Sequence, residues 1–135
     1  MPDRSATIHN IWGDDMTPFG ERIRALRAER GVTMKGMAES LQVSAAYLSA
    51  LEHGRRGRPS PGLVMQICGY FGLIWDDGEA LKRLAQLSHP RVVVDTAGLS
   101  PRATQLANLL AESIGGLGDE EIEGLLSDLG QARKI

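Results

Sequence analysis

Cysteine is almost missing from this sequence of 135 residues, in which Cys68 is the sole example. No disulfide can form within the chain, which excludes a disulfide-held secreted scaffold and favours a reducing, cytoplasmic location. Long apolar runs are missing too, because none reaches the roughly 18 residues of a membrane span. The segment before Met16 also lacks the apolar core of a signal peptide. We therefore expect no membrane association.

The sequence also lacks arrangements that support catalysis or metal binding. No nucleophile elbow, phosphate-binding loop or paired nucleophile and base is visible. His9, His53 and His89 are far apart and have no cysteine or carboxylate partners at ligand spacing. Cys68 lies beside apolar residues of a helical pattern, which favours a core position over a redox sensor. We expect no enzyme activity, no metal and no cofactor.

Charge is balanced over the whole chain but not along it. The net charge is −2, yet residues 1–75 carry nine basic and seven acidic residues, whereas residues 76–135 carry six and ten. Within residues 19–72 the count is eight basic to four acidic. This bias favours a polyanionic partner, although ordinary solvated surfaces can show the same balance.

Apolar periodicity and capping residues predict seven helices. Apolar residues recur at helical spacing, as at Phe19, Ile23 and Leu26. Helix starts are marked by residues that cap helices well, in three cases with proline next in the chain, namely Thr17, Thr33, Ser44, Ser60, Ser100 and Asp119. The fifth helix is expected to open at Asp76 or Asp77. With at most one short strand, the fold class is all-α.

The chain divides into three predicted segments. Residues 1–16 show no helical or strand period and are expected to form a flexible tail, with a small docking arm as the alternative. Residues 17–75 form the first helical domain and residues 76–135 a second helical region. Between the last two helices and the rest, the β-branched run at residues 91–95 predicts either a short strand or an extended linker.

Two short helices joined by a tight turn, residues 34–41 and 44–53, have the sequence form of a helix-turn-helix. Ala38 must be small, since a larger side chain would push the two helices apart. Leu48 is expected to fill the space between them, with Leu51 as a second apolar anchor.

Residues 19–73 resemble the Cro/C1-type (XRE) family of helix-turn-helix transcriptional regulators. Three pieces carry the resemblance, namely I-R-x-L-R-x-x-x-G at Ile23–Gly31, V-S-x-x-Y-L-S-x-L-E at Val43–Glu52, and R-x-P-S at Arg56, Pro59 and Ser60 with one inserted residue. The resemblance covers about two fifths of the chain. It implies a five-helix lambda-repressor-like domain whose partner is double-stranded DNA.

The resemblance further implies that the helix from Ser44 to His53 lies in the DNA major groove. Its outward positions and Lys35 give the DNA-binding candidates Lys35, Ser44, Ala45, Ala46, Tyr47, Ser49 and Ala50. Arg55, Arg56 and Arg58 lie in the segment Arg55–Pro59, called the arginine loop below. Phosphate binding is the functional interpretation of this loop, and a solvated basic loop is the alternative. Arg24 and Arg27 fit either interpretation equally.

The sequence departs from the family pattern at four positions. Met34 stands where the family often has a phosphate-binding glutamine, and Gln42 replaces the usual glycine of the turn. Ala45 and Ala46 occupy two positions that usually read bases, and alanine can only touch a thymine methyl group. We expect specificity to depend more on Ser49, on Tyr47, on the loop arginines and on DNA shape.

The second helical region is the expected source of dimerisation, because a single helix-turn-helix unit buries little contact surface and relatives usually pair two units. The candidate interface residues are Leu106, Leu110, Ile114, Ile122, Leu125, Leu126 and Leu129. The alternative is a helical extension packed on its own first domain. The expected function is a dimeric, DNA-binding transcriptional repressor. The competing class is an antitoxin or adaptor that acts by binding another protein.

Overall fold

The computed structural model describes residues 16–133, so nearly all of the predicted tail lies outside the described residues. Seven α-helices are present in these residues, which confirms the all-α prediction. They are α1 (Pro18–Arg30), α2 (Met34–Leu41), α3 (Ala45–Glu52), α4 (Pro61–Phe71), α5 (Trp75–Gln86), α6 (Pro101–Ser113) and α7 (Asp119–Arg133), with a 3₁₀ turn at Ile114–Gly116. In the described part of the chain, no helix is long and apolar enough to cross a bilayer.

The possible strand at residues 91–95 does not form. Residues 92–96 have no regular secondary structure, and Val93 is 95% exposed. A β-branched run favours a strand only where another strand pairs with it. Residues 16–133 contain no strand, so the extended alternative is the one that the structure adopts.

Five of the predicted capping residues cap their helices. In each case the side-chain oxygen accepts a hydrogen bond from the backbone N–H three residues later, at 2.9–3.2 Å. Such a cap stabilises a helix by about 1 kcal/mol. The five residues are Thr17, Thr33, Ser44, Ser60 and Ser100.

The last helix is capped differently from the prediction. Asp119 is already the first residue of α7 rather than its cap. Ahead of it, the backbone N–H of Gly118 donates to Glu121 Oε1 at 2.8 Å. A carboxylate in the first turn thus satisfies a free N–H at the helix start, as in one half of a capping box.

Helix α5 starts earlier than predicted and belongs to the first compact unit. It begins at Trp75, so Asp76 and Asp77 lie inside its first turn, where carboxylates interact favourably with the helix dipole. The helix packs against α1 and α4 and buries Leu81 and Ala85. The first unit therefore extends past residue 75 and ends at Val92.

The first unit has a continuous apolar core to which α1–α5 all contribute. Ala38 and Leu48 are both 3% exposed, as expected for the packing of α2 on α3. The core comprises Phe19, Ile23, Leu26, Met37, Ala38, Leu41, Leu48, Leu51, Leu63, Val64, Ile67, Cys68, Phe71, Leu81 and Ala85. Burial of side chains on this scale is the main favourable term in folding a small domain.

The second unit begins at Val93 and contains α6, the 3₁₀ turn and α7. Its loop is ordered by local bonds, such as the 2.8 Å contact between the hydroxyls of Thr96 and Thr104. None of its described residues is buried. The leucines of α6 and α7 therefore remain largely in contact with solvent.

Candidate nucleic-acid interface

The turn between α2 and α3 sets the direction in which α3 leaves the core. Gln42 ends α2 in the left-handed region, with φ 61° and ψ 40°. The N–H of the next residue, Val43, donates to the carbonyl of Ala38 at 3.0 Å. A left-handed backbone at a residue other than glycine costs roughly 1–2 kcal/mol. Gln42, which stands where the family usually has glycine, therefore carries this cost.

Helix α3 has one buried side and one exposed side. Leu48, Leu51 and Glu52 are buried, whereas Ser44, Ala45 and Ala46 are exposed at its start. The Ser44 hydroxyl accepts from the N–H of Tyr47 at 3.0 Å, which fixes the first turn. The predicted outward residues Tyr47, Ser49 and Ala50 are half-buried. One side of α3 thus packs on the core while its N-terminal end is exposed. This is the geometry with which a recognition helix enters a major groove.

The starts of α3 and α4 open onto the same shallow groove, which has a volume of about 530 Å³. The guanidinium of Arg56 lies 5.8 Å from the ring centre of Tyr47 across this groove. Helix N-termini and a guanidinium group all favour an anion. The lining residues are Val43, Ser44, Tyr47, Arg56, Ser60, Leu63 and Gln66.

The arginine loop is exposed at all three of its arginines, Arg55, Arg56 and Arg58. Gly54, just before the loop, and Gly57, within it, have φ values of 75° and 73°, which favour glycine strongly. The loop thus turns sharply twice and presents its cations to solvent. Arg58 also lines a second groove, together with Lys82 and Arg83 of α5.

Among the four arginines of α1, Arg24 and Arg27 differ in their surroundings. Arg24 is exposed, whereas Arg27 donates through Nη2 to Glu52 Oε1 and Oε2 at 3.0 and 2.7 Å. The side chains of Arg27 and Glu52 are only 13% and 3% exposed. Arg27 is thus committed to the protein interior and is not available for phosphate. Lys35 is exposed on α2, as the prediction requires.

Glu52 is a residue that sequence reasoning missed as a determinant of the site. The N–H of Thr17 donates to the carbonyl of Glu52 at 3.0 Å, and Gly20 lies so close that a Cβ there would be 2.1 Å from the same oxygen. Together with the ion pair to Arg27, these contacts dock the end of α3 onto α1. The direction in which α3 points is therefore fixed from its C-terminal end. The available sequence signal was a lone carboxylate beside the buried anchor Leu51.

Within the second unit, the predicted interface residues are exposed or half-buried. Leu106 is 63% exposed and Ile122 is half-buried. The other five, Leu110, Ile114, Leu125, Leu126 and Leu129, are all exposed. The structure therefore leaves the apolar sides of α6 and α7 without cover.

Cys68 is buried in the first core, and this burial raises the pKa of its thiol. A neutral, shielded thiol reacts slowly, in keeping with a packing role. Among the described residues, no three His, Cys, Asp or Glu side chains come together as a metal site would require.

Comparison with known proteins identifies the first unit. Residues 18–81 match the family described as "Helix-turn-helix domain". These residues therefore form a helix-turn-helix domain, in agreement with the resemblance of residues 19–73 to the XRE family. The match ends inside α5 and does not include the second unit.

Three relatives illustrate the similarity. The HTH-type transcriptional repressor RghR of Bacillus subtilis is 40% identical over 68 residues, which are 47% of this chain and 50% of the relative. The HTH-type transcriptional regulator DdrOP3 of Deinococcus deserti is 40% identical over 57 residues, 42% of this chain and 43% of the relative. The transcriptional regulator ClgR of Mycobacterium tuberculosis is 34% identical over 74 residues, 51% of this chain and 65% of the relative. The chain thus spans between 43% and 65% of these relatives.

Proposed function

We propose that this chain is a cytoplasmic transcriptional regulator that binds specific double-stranded DNA as a homodimer and represses transcription by occlusion. The observation that carries the proposal is the exposed start of α3 on a helix whose other side is buried. The relatives named as transcriptional repressor and regulators support it. The sole cysteine, buried and unpaired, is consistent with a reducing compartment.

DNA sequence would be read with few hydrogen bonds from α3. The Ser44 hydroxyl caps the N–H of Tyr47, and Ala45 and Ala46 offer only methyl groups to the bases. Each can make apolar contact with thymine but cannot donate or accept. Tyr47, Ser49, the arginine loop and the deformability of the DNA would supply the remaining specificity.

Affinity would come mainly from phosphate contacts. The free N–H groups at the start of α3 and the exposed cations of the arginine loop can hold two stretches of the DNA backbone. Each contact of this kind releases counterions, so binding should weaken steeply with salt. Lys35, exposed on α2, is a further phosphate ligand in this proposal.

Dimerisation is proposed to occur through α6 and α7. Their apolar side chains are uncovered in a single copy, and a folded unit with no buried residue gains little from its own core. A second copy presents the same surface, as a two-fold interface requires. Two first units held in this way could occupy half-sites about 34 Å apart.

A variant at the start of α3 tests the proposal. Ala46→Glu places a carboxylate on the exposed surface, where it should repel phosphate and weaken binding at least tenfold without changing stability. Ala80→Glu makes the same change on the exposed side of α5 and is the matched control. Binding would be measured by fluorescence anisotropy on a duplex that the unmodified protein selects from a random pool. Equal affinity of the two variants would refute the placement of α3.

The competing function, an antitoxin or adaptor, is favoured by two observations. The exposed positions Ala45 and Ala46 lack hydrogen-bonding side chains, while α6 and α7 expose enough apolar surface for another protein. In that case the purified chain would select no duplex and would be a monomer until its protein partner is added. Selection of a duplex by a dimer would exclude this alternative as the main function.

A further inference from the structure

We propose that His89 and Arg91, which follow α5, form a second part of the phosphate-binding surface beside the arginine loop. The inference rests on the proposed DNA-binding function and adds two contact residues to it. Both residues lie beyond residue 81, where the helix-turn-helix match ends. Neither belongs to the turn, to α3 or to the arginine loop.

The segment Ser88–Arg91 is fixed against the elements that carry α3. Ser88 is 2% exposed, and its hydroxyl accepts from the N–H of Phe19 at 2.9 Å and bonds to the carbonyl of Leu84. This anchor ties the segment to the start of α1 and the end of α5. The position of the residues that follow is therefore set by the core of the first unit.

His89 and Pro90 lie close to two glycines, namely Gly57 in the arginine loop and Gly54 just before it. Atoms of Pro90 come within 3.6 Å of the position that a Cβ on Gly54 would occupy. His89 Nε2 lies 3.9 Å from the corresponding position on Gly57. His89 and Arg91 are both exposed, as are the three arginines of the loop. The two segments thus present their polar groups on adjoining parts of the surface.

The two segments carry positive charge and contribute no carboxylate of their own. Residues 53–75 contain Arg55, Arg56 and Arg58 but no Asp or Glu, and residues 84–94 contain Arg91 but no Asp or Glu. Four arginines on two adjoining segments, with no acidic residue in either, favour a polyanion over a protein surface of mixed charge.

A hydrogen bond to His89 determines which ring nitrogen can donate to a phosphate oxygen. The backbone N–H of Arg91 donates to His89 Nδ1 at 3.1 Å, so the neutral ring carries its proton on Nε2. That N–H can donate to phosphate, while the guanidinium of Arg91 can bind a phosphate in bidentate fashion. The proposed ligand is thus the phosphate backbone of duplex DNA beside the part held by the arginine loop.

The test compares Arg91→Ala with Arg102→Ala, which removes an exposed arginine from the start of α6. Both variants lose one positive charge, but only the first should remove a group that binds phosphate. We expect the slope of log K against log salt to become less steep by about 0.9 for each phosphate that is no longer neutralised, or about 1.8 for a dimer. The probe is the duplex selected by the unmodified protein, with Arg91→Lys expected to restore most of the slope.

Hydroxyl-radical footprinting gives an independent measurement on the same duplex. The unmodified protein should protect sugars flanking the site of the arginine loop, and the double variant of His89→Ala and Arg91→Ala should lose that protection alone. If the unmodified protein selects and binds a duplex but Arg91→Ala matches Arg102→Ala in slope and footprint, the inference is wrong and the proposed function stands. If the unmodified protein binds no duplex, the proposed function fails and the inference fails with it.

Discussion

The two units of the chain differ in whether their apolar residues are buried. In the first unit, leucines such as Leu26, Leu51 and Leu81 are at most 2% exposed and lie inside a continuous core. In the second unit, Leu106 and Leu126 are more than half exposed, and no described residue is buried. Both units are helical and both have capped helix starts. Secondary structure alone therefore does not distinguish them, whereas burial does.

This difference suggests that the two units have different functions. A unit with a core can hold α3 rigidly, as DNA recognition requires, and it can do so without help from another chain. A unit of two helices without a core has little to gain from folding alone, because buried apolar area supplies most folding free energy. In the proposed dimer, a second copy would cover its exposed leucines.

The largest expected effect is on association through the second unit. Leu106→Glu should weaken dimerisation by about 3–6 kcal/mol, since the leucine would be removed twice from a symmetric interface at about 1.5–3 kcal/mol each. Unfolding of the first unit should be unchanged. Sedimentation equilibrium measures the association, with Gln105→Glu, on another side of α6, as the control. A dimer that survives Leu106→Glu unchanged would show that these helices are not the interface.

The next effect tests the rigidity of the first unit. Glu52→Ala leaves Arg27 buried without its partner and should lower the free energy of unfolding by about 3–5 kcal/mol. The control is Glu123→Ala, which removes an exposed carboxylate from α7 and should change stability little. Urea denaturation followed by circular dichroism gives both values. A small effect at Glu52 would mean that the ion pair contributes little, and that apolar contacts and the backbone hydrogen bond from Thr17 hold α3.

A smaller effect is expected where α1 and α3 meet. Gly20→Ala puts a Cβ against the carbonyl of Glu52 and should cost about 1–3 kcal/mol, because backbone must move to accept it. Gly69→Ala is the matched control, since nothing lies within 4 Å of its Cβ position in α4. That change should stabilise the helix by roughly 0.5–1 kcal/mol. Effects of the same sign at both glycines would contradict the close approach of α1 and α3.

The smallest effect has the opposite sign. Gln42→Gly removes the strain of a left-handed backbone, which costs roughly 1–2 kcal/mol. Because glycine also gives the unfolded chain more conformational freedom, we expect the free energy of unfolding to rise by only about 0.5–1 kcal/mol. Gln66→Gly, at an exposed helical position in α4, should instead cost about 1 kcal/mol. Thermal unfolding followed by circular dichroism compares the two variants with the unmodified protein. A loss of stability at both positions would argue against the strained turn.

Local chemistry made most of the helix starts predictable. A hydroxyl that accepts from an N–H three residues later needs only the right residue at the right place, as at Ser44 and Ser60. The small residue Ala38 and the filler Leu48 were predictable because the turn brings α2 and α3 together within a dozen residues. The all-α class and the order of the helices followed from the same local periodicity.

Long-range features were beyond sequence reasoning. The pair of Arg27 and Glu52 joins residues 25 positions apart, and the anchor from Ser88 to Phe19 spans 69. No local sequence pattern predicts either contact. Phosphate binding was therefore as good an interpretation of Arg27 as any other. The start of α5 at Trp75, with φ 53°, is also not foreseen by any capping rule, and nothing in the structure explains that backbone angle. The DNA-contacting residues themselves remain predictions.

A cleavage reagent attached at position 46 measures most directly whether α3 enters DNA as one of a pair. The label would be attached to Ala46→Cys in a chain that also carries Cys68→Ala, so that the reagent has a single site. On the selected duplex we predict two symmetric clusters of cuts separated by about one helical turn, roughly 34 Å. A bound complex in which the label cuts nowhere, or cuts without a two-fold pattern, would contradict the account.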